Sequence, residues 1–373
     1  MAMSDCPPIL VHVAMSEKET YPYEMLFRSI QKHLMDACTG EYVFTKSFFE
    51  GNCRETFNGI VTKTLSCVLE GLENYLFGCW DAVGLLCMIR LTHQNRQTMK
   101  SRRCNVLDNL FDRINMLLWP RLKTVIDNNV KSVKGVVAKK MGTGEVHAHP
   151  ISRRYAEFGA SILTLLKGME NAPGAEATTN GAVMLKGDME GLRGAVVQTL
   201  GRLSDQHANS MTRTVFLINN YDQIITVFGE RKVEREEVNK FNDKLKQQRA
   251  VFVEEKLSAS YGKLITFVKQ TESSQAAGAQ LDLDQNLVEG LVRQFATTWK
   301  SGIESINRDV LSMFSNFRNG TEILKQTLTQ LLLYYTRFQE IIRKAWRRPP
   351  GFVRDIVSTN AILTEIKKFA MAI

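Results

Sequence analysis

The sequence predicts an all-α protein, an elongated rod of stacked antiparallel helical bundles, and three observations lead to that prediction. Only eight prolines occur, with none between Pro22 and Pro120 or between Pro173 and Pro349. Because proline lacks an N–H and clashes with the preceding turn, these proline-free stretches permit long helices. Apolar residues recur every three or four positions along most of the chain, as on an amphipathic helix. No internal repeat of about 34 or 40 residues is visible, which argues against the common α-solenoids.

The first part of the chain predicts an irregular leader followed by two helices. Residues 1–20 show no helical pattern, and a first helix is predicted after Pro22, with Phe27 on its apolar face. A longer apolar stripe runs over residues 57–87, includes Trp80, and keeps the helical period for about eight turns. It predicts one long buried helix, although each glycine within it costs about 1 kcal/mol relative to alanine.

The middle of the chain contains one proline inside a helical pattern. Apolar residues at helical spacing extend over residues 107–126, and Pro120 lies among them. We therefore predict a kink or a break at this proline. Residues 136–150 are predicted to form a loop, and Ser152 is a plausible N-cap for the helix that follows.

Residues 168–194 show the clearest change of composition, because small and polar residues and repeated glycines dominate there. This stretch predicts a flexible loop or a boundary. The predicted organisation is an irregular leader over residues 1–20, an N-terminal helical bundle over 21–167, the Gly-rich flexible loop over 168–194 and a C-terminal helical bundle over 195–373.

The C-terminal half predicts long amphipathic helices. A charge-rich helix is predicted over residues 233–257, and the longest apolar stripe follows over residues 287–317, with a spacing close to the helical repeat. Asn319 and Gly320 suit a helix C-cap, and Thr321 could begin the next helix. Packing of such helices against one another produces a bundle or a rod of stacked bundles.

The formal net charge of +9 fits a solvated surface, an acidic protein partner, an anionic membrane or a nucleic acid, and charge alone does not separate these. Nucleic-acid binders combine basic patches with stacking aromatic residues, whereas the aromatic residues here lie on apolar stripes and are predicted to be in the core. No nucleic-acid partner is therefore predicted. The basic clusters are Lys100/Arg102/Arg103, Lys139/Lys140, Arg153/Arg154 and Lys344/Arg347/Arg348.

The cysteines and the hydrophobic stretches indicate a cytosolic protein. Seven cysteines occur, an odd number, and no pair has CxxC spacing, so we predict reduced and mostly buried thiols. The most hydrophobic stretch, residues 68–91, is interrupted by charged residues, among them Glu70 and Arg90. It is therefore predicted to be a core helix and not a membrane span, and any membrane association is predicted to be peripheral.

No catalytic constellation is found, so we predict no enzyme, no catalytic residue, no cofactor and no metal site. The sequence contains no GxSxG, HExxH or GxxxxGK[ST] motif. His147 and His149 lie in a predicted loop beside Glu145, and ordinary surface histidines are favoured over a metal site.

Asn219 and Asn220 interrupt an apolar run. Either one faces solvent while the other bonds a neighbouring helix, or the pair is a polar anchor for a partner protein.

Several strings of the sequence resemble those of one family and follow one another in its order. They are YPYEMLFRS (21–29), EYVFTKSFF (41–49), DAVGLLCMIRL (81–91), LLWPRLKTVIDNNVKSV (117–133), ISRRYAEF (151–158), FLINNYD (216–222), FVKQTE (267–272), WKSGIESINRDV (299–310) and FSNFRNGTEIL (314–324). On these strings the sequence is similar to the C-terminal helical region of the vacuolar protein sorting-associated protein 52 family.

The resemblance implies a CATCHR-like fold and a non-catalytic subunit of the Golgi-associated retrograde protein complex, a vesicle tether. It implies sister subunits, a Rab-type small GTPase and SNARE proteins as partners. It also implies peripheral placement on the cytoplasmic face of the trans-Golgi network and endosomes, in retrograde transport. No interface residue follows from it, so the partner-binding residues are unknown. The alternative function is a basic helical module that binds anionic membrane surfaces directly.

Overall fold

A computed structural model describes residues 8–9, 15–16, 20–49, 51–136, 146–170, 179–276, 283–346 and 350–371. The described residues are almost entirely helical and contain no β-strand, which confirms the all-α prediction. The helices are α1 Tyr23–Phe48, α2 Cys53–Gly78, α3 Ala82–Ser101, α4 Asp108–Lys134, α5 Pro150–Glu170, α6 Thr179–Ser204, α7 Ser210–Glu230, α8 Arg235–Ala276, α9 Gln285–Met313, α10 Phe317–Ala345, a 3₁₀ helix Gly351–Asp355 and α11 Thr359–Met371.

The chain divides into two compact units. The first comprises Met1–Val136 and Glu157–Thr199, and the second comprises Val137–Ala156 and Leu200–Ile373. This division falls within α5 and α6 and so differs from the predicted boundaries at residues 168–194. Most of the predicted leader, residues 1–20, lies outside the described residues.

The core of the first unit forms where α3 packs on α1 and α4, and α2 packs on the same two helices. Leu85, Leu86, Met88 and Ile89 of α3 are completely buried. Because four positions within five consecutive residues are buried, α3 is covered on most of its circumference and is the central helix of this unit.

The core of the second unit is rich in aromatic residues. Helix α8 packs against α7, α9 and α10. Its residue Phe241 makes an edge contact with Phe228 of α7, with ring centroids 6.0 Å apart. Phe267 of α8 and Phe338 of α10 form a second edge contact at 5.7 Å. Edge-to-face pairs of this kind add about 0.5–1.5 kcal/mol each beyond the area that the rings bury.

The predicted single helix over residues 57–87 is wrong, because α2 ends at Gly78 and α3 begins at Ala82. Asp81 is the N-cap of α3, and its carboxylate accepts a hydrogen bond of 2.9 Å from the backbone N–H of Val83. Trp80 lies in the turn and is 62% exposed, although the apolar stripe places it in the core. The stripe continued across the break because both helices bury apolar faces, so periodicity alone did not reveal the turn.

The predicted kink or break at Pro120 does not interrupt α4, which is continuous from Asp108 to Lys134. A proline removes the N–H that would bond the carbonyl four residues earlier, here that of Met116. The Met116 side chain is 75% exposed, so this side of the helix is open to water. Leu118 and Leu122 are buried on either side of the proline and hold the helix in the core.

The predicted flexible loop over residues 168–194 is wrong wherever the structure describes this stretch. Residues 168–170 complete α5 and residues 179–194 belong to α6, while residues 171–178 lie outside the described part. Between the glycines of α6, apolar residues at helical spacing form one buried face. These residues are Ala182, Leu185, Met189, Leu192 and Val196.

Two glycines of this stretch provide close packing rather than flexibility. A Cβ on Gly168 would lie 3.0 Å from Cζ of Arg90, and a Cβ on Gly181 would lie 2.6 Å from Cε2 of Trp119. The distance to the Trp119 ring is too short for a Cβ at position 181, whereas the guanidinium of Arg90 would have to shift to admit one at position 168. The glycine-rich composition therefore reflects contacts with other helices at these two positions.

The predicted apolar stripe over residues 287–317 is the buried face of α9 along most of its length. Phe295 and Trp299 are both buried, whereas the two ends of the stripe, Leu287 and Phe317, are exposed. Helix α9 ends at Met313.

The predicted C-cap at Asn319 and Gly320, and the helix start at Thr321, are wrong. All three residues lie inside α10, which begins at Phe317. The cap is Asn316, whose side-chain oxygen accepts from the backbone N–H of Arg318 at 3.1 Å. The sequence signal for the true helix start is Asn316, a residue type favoured at N-caps, three residues before the predicted C-cap at Asn319.

Helix α8 folds back on itself at Tyr261. This residue has φ −131° and ψ 27°, which are not helical values. Glu254 and Lys269 are 15 residues apart, about 22 Å along a straight helix, yet Nζ of Lys269 lies 2.6 Å from Oε2 of Glu254. The ion pair therefore joins two helical segments, and the first of them matches the helix predicted over residues 233–257.

Candidate functional site

The two histidines considered as metal ligands, His147 and His149, form hydrogen bonds with other groups of the chain. His147 Nδ1 lies 2.9 Å from Oγ of Ser315, and His149 Nδ1 accepts from the backbone N–H of Ile151 at 3.1 Å. Burial, and secondarily the charge of Arg154, lower the pKa of His149. Among the described residues, no group of three or more His, Cys, Asp and Glu side chains could hold a metal ion.

Asn220 is the centre of a buried polar cluster in the second unit. Its side-chain oxygen accepts from the backbone N–H of His149 at 2.8 Å and from Oγ of Ser152 at 2.7 Å. Its side-chain nitrogen donates to the carbonyl oxygen of Phe216 at 2.7 Å. Ser152 is therefore not the predicted N-cap of α5, which begins at Pro150. Its hydroxyl instead joins the start of α5 to α7.

Asn219 bonds to two backbone carbonyl groups outside α7. Its side-chain nitrogen lies 2.7 Å from the carbonyl oxygen of Val146 and 3.2 Å from that of Met313. Both asparagines are buried, so the prediction that one of them faces solvent is wrong. Their amide groups also bond within the unit, which leaves them poorly placed as anchors for a partner protein.

Asp222 extends this polar cluster to the turn between α9 and α10. The side-chain nitrogen of Asn316 donates to Oδ2 of Asp222 at 2.7 Å. Nε of Arg249 donates to Oδ1 of Asn319 at 3.1 Å. Burial raises the pKa of Asp222, while the bond from Asn316 and the charge of Arg249 act in the opposite direction. Through these bonds the cluster joins α7 to the turn between α9 and α10.

The exposed aromatic residues are the clearest candidates for contact with partners. At the end of α1, Phe44 and Phe48 stack with centroids 5.5 Å apart, and Phe49 meets Phe48 at 5.0 Å. At the end of α2, Phe77 is 91% exposed, and Trp80 follows in the turn. The sequence predicts aromatic residues to be in the core, because a periodic pattern does not distinguish the end of a helical stripe from its middle.

The basic clusters are only partly described. Arg102 pairs with Asp36 at 2.8 Å, which offsets part of the charge of the first cluster. Arg153 and Arg154 are exposed on α5, and Lys344 lies in the last turn of α10. Lys139, Lys140, Arg347 and Arg348 lie outside the described residues.

The six described cysteines are free thiols. Cys38, Cys79 and Cys104 are buried, whereas Cys67 is exposed. Burial raises the pKa of the Cys38 thiol to about 11, with smaller contributions from Cys104 and Glu41. A thiol with so high a pKa remains neutral at physiological pH and is a poor nucleophile.

Comparison with known proteins identifies the family of the chain. The family model described as Vps52, C-terminal, matches residues 2–253. The chain belongs to the Vps52 family. Vacuolar protein sorting-associated protein 52 A of Arabidopsis thaliana is 37% identical over 368 residues, which cover 98% of this chain and 50% of that relative. The Homo sapiens homolog of vacuolar protein sorting-associated protein 52 is 32% identical over 368 residues, which cover 97% of this chain and 49% of that relative. This Vps52-family chain therefore spans about half the length of the curated relatives it matches.

Two solved structures with the same fold are structures of exocyst subunits. S. cerevisiae Exo70 has a TM-score of 0.52 at 10% identity, with 92% of this chain and 70% of that chain covered. A structure from work on exocyst subunit Exo70p and the Exo84p C-terminal domains has a TM-score of 0.53 at 9% identity. The match covers 99% of this chain and 84% of that chain. These likenesses confirm the CATCHR-like fold expected of the Vps52 family.

Three of the strings that resemble the Vps52 family contribute residues to the polar cluster. ISRRYAEF contributes Ser152, FLINNYD contributes Asn219, Asn220 and Asp222, and FSNFRNGTEIL contributes Asn316. The sequence resemblance and the polar cluster therefore involve the same residues. No described helix of this Vps52-family chain has the length and apolar character needed to cross a bilayer.

Proposed function

We propose that this chain is a non-catalytic part of a multisubunit vesicle-tethering complex that acts in retrograde transport from endosomes to the trans-Golgi network. The observation that carries the proposal is membership of the Vps52 family over nearly the whole chain, together with the fold of an exocyst subunit. The proposed partners are sister subunits, a Rab-type small GTPase and SNARE proteins. The proposed location is the cytoplasmic face of these membranes, with peripheral association.

The described interior supports a scaffold function. Helices packed through large aromatic and aliphatic side chains form rigid units, and a rigid surface lowers the ordering cost of each partner that binds. Several weak contacts within one complex add through effective concentration, so no single contact needs high affinity.

The exposed aromatic residues of the first unit are the proposed contact points. Large aromatic side chains are enriched at the energetically important positions of protein interfaces. Phe44, Phe48 and Phe77 are exposed and have no role in the core. Burial of one such ring in an interface would contribute about 1.5–3 kcal/mol.

The test is co-purification from eukaryotic cells that express the tagged full chain. We expect recovery of sister tether subunits, and binding of a Rab-type GTPase that is stronger with GTP than with GDP. The paired substitution Phe44→Ser and Phe48→Ser should reduce recovery of at least one partner. Leu333→Ser is a matched control, because Leu333 is an exposed apolar residue of the second unit. Recovery of neither sister subunits nor a GTP-dependent GTPase would contradict the proposal.

Direct binding to anionic membranes is the second candidate, supported by the net charge of +9 and the exposed phenylalanines at the end of α1. Flotation with vesicles at low and high salt separates the two functions. Binding that needs anionic lipid and disappears with salt favours the membrane function. Binding to a GTP-loaded GTPase on neutral vesicles favours the tether.

A further inference from the structure

A cavity of about 360 Å³ lies at the C-terminal end of α10 in the second unit. Its walls are mainly apolar and include Ile342, Trp346, Val353 and Ile356, and among its described lining residues the charged one is Arg343. Ligand pockets in proteins have volumes of about 300–1,000 Å³ and combine apolar walls with a few polar groups. This cavity is at the low end of that range, so its size suits one or two side chains of a peptide.

Hydrogen bonds within the unit hold the polar floor of the cavity in place. The carbonyl oxygen of Val357 accepts from Oη of Tyr335 at 2.9 Å and from Nε2 of Gln339 at 3.1 Å. Oε1 of Gln339 accepts from Oγ1 of Thr359 at 3.0 Å. These groups are already paired, so they do not need a ligand. The rigid floor lowers the ordering cost of binding.

Arg343 supplies the positive charge that gives the cavity a preference among ligands. Its side chain is exposed, and no carboxylate in the described part of the chain forms an ion pair with it. The negative end of the α10 dipole is nearby and corresponds to about half an elementary charge spread over the last turn. The full charge of the guanidinium exceeds that opposing charge, so a carboxylate at the edge of the cavity is favoured.

We propose that this cavity binds a short extended segment of a partner protein that places an apolar side chain against Trp346 and a neighbouring carboxylate against Arg343. Tryptophan and arginine are among the residue types enriched at energetically important interface positions. The edge contact between Trp346 and Phe352, with centroids 5.8 Å apart, holds the indole as one wall of the cavity. This inference does not depend on the proposed tethering function.

The experiment uses three blocked hexapeptides, Gly-Glu-Leu-Phe-Glu-Gly and its counterparts with Gln or Lys in place of Glu. Each is titrated into the ¹⁵N-labelled full chain. The chain has four tryptophans, and the Trp346→Phe variant assigns the indole signal of Trp346. We expect the acidic peptide to shift this signal in a saturable manner, with an affinity up to about five-fold higher than that of the Gln peptide, the upper range for one exposed ion pair. The Lys peptide should bind more weakly than the Gln peptide.

Charge variants decide whether Arg343 is responsible. Arg343→Gln should bring the acidic peptide to the affinity of the Gln peptide. Lys344→Gln removes a neighbouring exposed charge that does not line the cavity, and it should change the affinity less than two-fold. The proposal is overturned if no peptide shifts the Trp346 signal, if the three peptides bind equally, or if the two variants have the same effect. None of these results would affect the co-purification of tether subunits, so the two proposals fail separately.

Discussion

Tyr261 donates a hydrogen bond of 3.0 Å from its hydroxyl group to the backbone carbonyl oxygen of Trp299. The tyrosine lies at the point where α8 folds back, and the tryptophan lies on α9. The ring of Tyr261 also packs against Phe295, one turn earlier on α9, with centroids 5.6 Å apart. The fold-back of α8 is therefore anchored on α9 by one buried hydrogen bond and one aromatic contact.

Gly302 makes room for this anchor, and Gly302→Ala should destabilise the chain. A Cβ at this position would lie 2.7 Å from Cζ of Tyr261, whose ring cannot move without loss of its bond to Trp299. Overpacking of a core costs about 1–3 kcal/mol, and alanine recovers about 1 kcal/mol through its helix propensity. The difference is a net loss of up to about 2 kcal/mol in the free energy of unfolding, measured with urea.

Gly290→Ala is the matched control for this substitution. Gly290 lies on the same helix, and a Cβ there would have no atom within 4 Å. Alanine should therefore stabilise the chain by about 0.5–1 kcal/mol. Equal effects of the two alanines would show that Gly302 has no special role beside Tyr261.

Asn220→Ala tests whether the polar cluster stabilises the second unit. The substitution removes the hydrogen bonds to His149, Ser152 and Phe216 and leaves buried polar groups without a partner. A buried group left unpaired costs about 1–3 kcal/mol, so we expect a loss of at least about 2 kcal/mol, measured by chemical denaturation. A double-mutant cycle with Ser152→Ala should give a coupling energy of about 0.5–3 kcal/mol. Additive effects of the two substitutions would contradict the direct bond between these side chains.

The fold class could be predicted from the sequence because the helical period survives almost everywhere. The helical period did not reveal the helix ends beside Trp80. There two helices bury their stripes in continuous register, and a turn of three residues leaves the pattern nearly intact. The prediction failed again over residues 179–194, where glycines obscured a buried stripe. Both failures have the same cause, because periodicity reports which residues are buried and does not report where the backbone turns.

The polar cluster could be predicted only in part. Asn219 and Asn220 were noticed because amides are unusual in an apolar run, and burial then requires partners. Those partners lie about 70 residues or more along the chain, at His149, Ser152 and Met313, and no local pattern connects such distant positions. Exposed aromatic residues such as Phe77 were missed for a related reason, since exposure depends on which neighbours happen to cover a helix end.

The buried stripe of α9 allows a comparison within one pattern. Phe295 and Trp299 are buried, whereas Phe317, at the end of the same predicted stripe, is 61% exposed. Phe295→Ala and Trp299→Ala should each cost about 3–5 kcal/mol in the free energy of unfolding. Phe317→Ala should cost less than about 0.5 kcal/mol, because surface substitutions have small effects. Similar urea midpoints for all three variants would refute the placement of this stripe in the core.

The carboxyl group of Asp222 should make stability depend on pH in a specific direction. Burial raises its pKa, so the folded state favours the protonated form, and this contribution is lost as pH rises through the folded-state pKa. Asp222→Asn keeps a group that can bond to Asn316 and removes the ionisation. From about pH 4 to about pH 7, the natural chain should lose stability relative to this variant. The loss should be less than about 1 kcal/mol, because the carboxyl is only partly buried and solvent screens it. Urea unfolding of both proteins across this range measures the difference, and a natural chain that gains stability relative to the variant would mean that the bond from Asn316 outweighs burial.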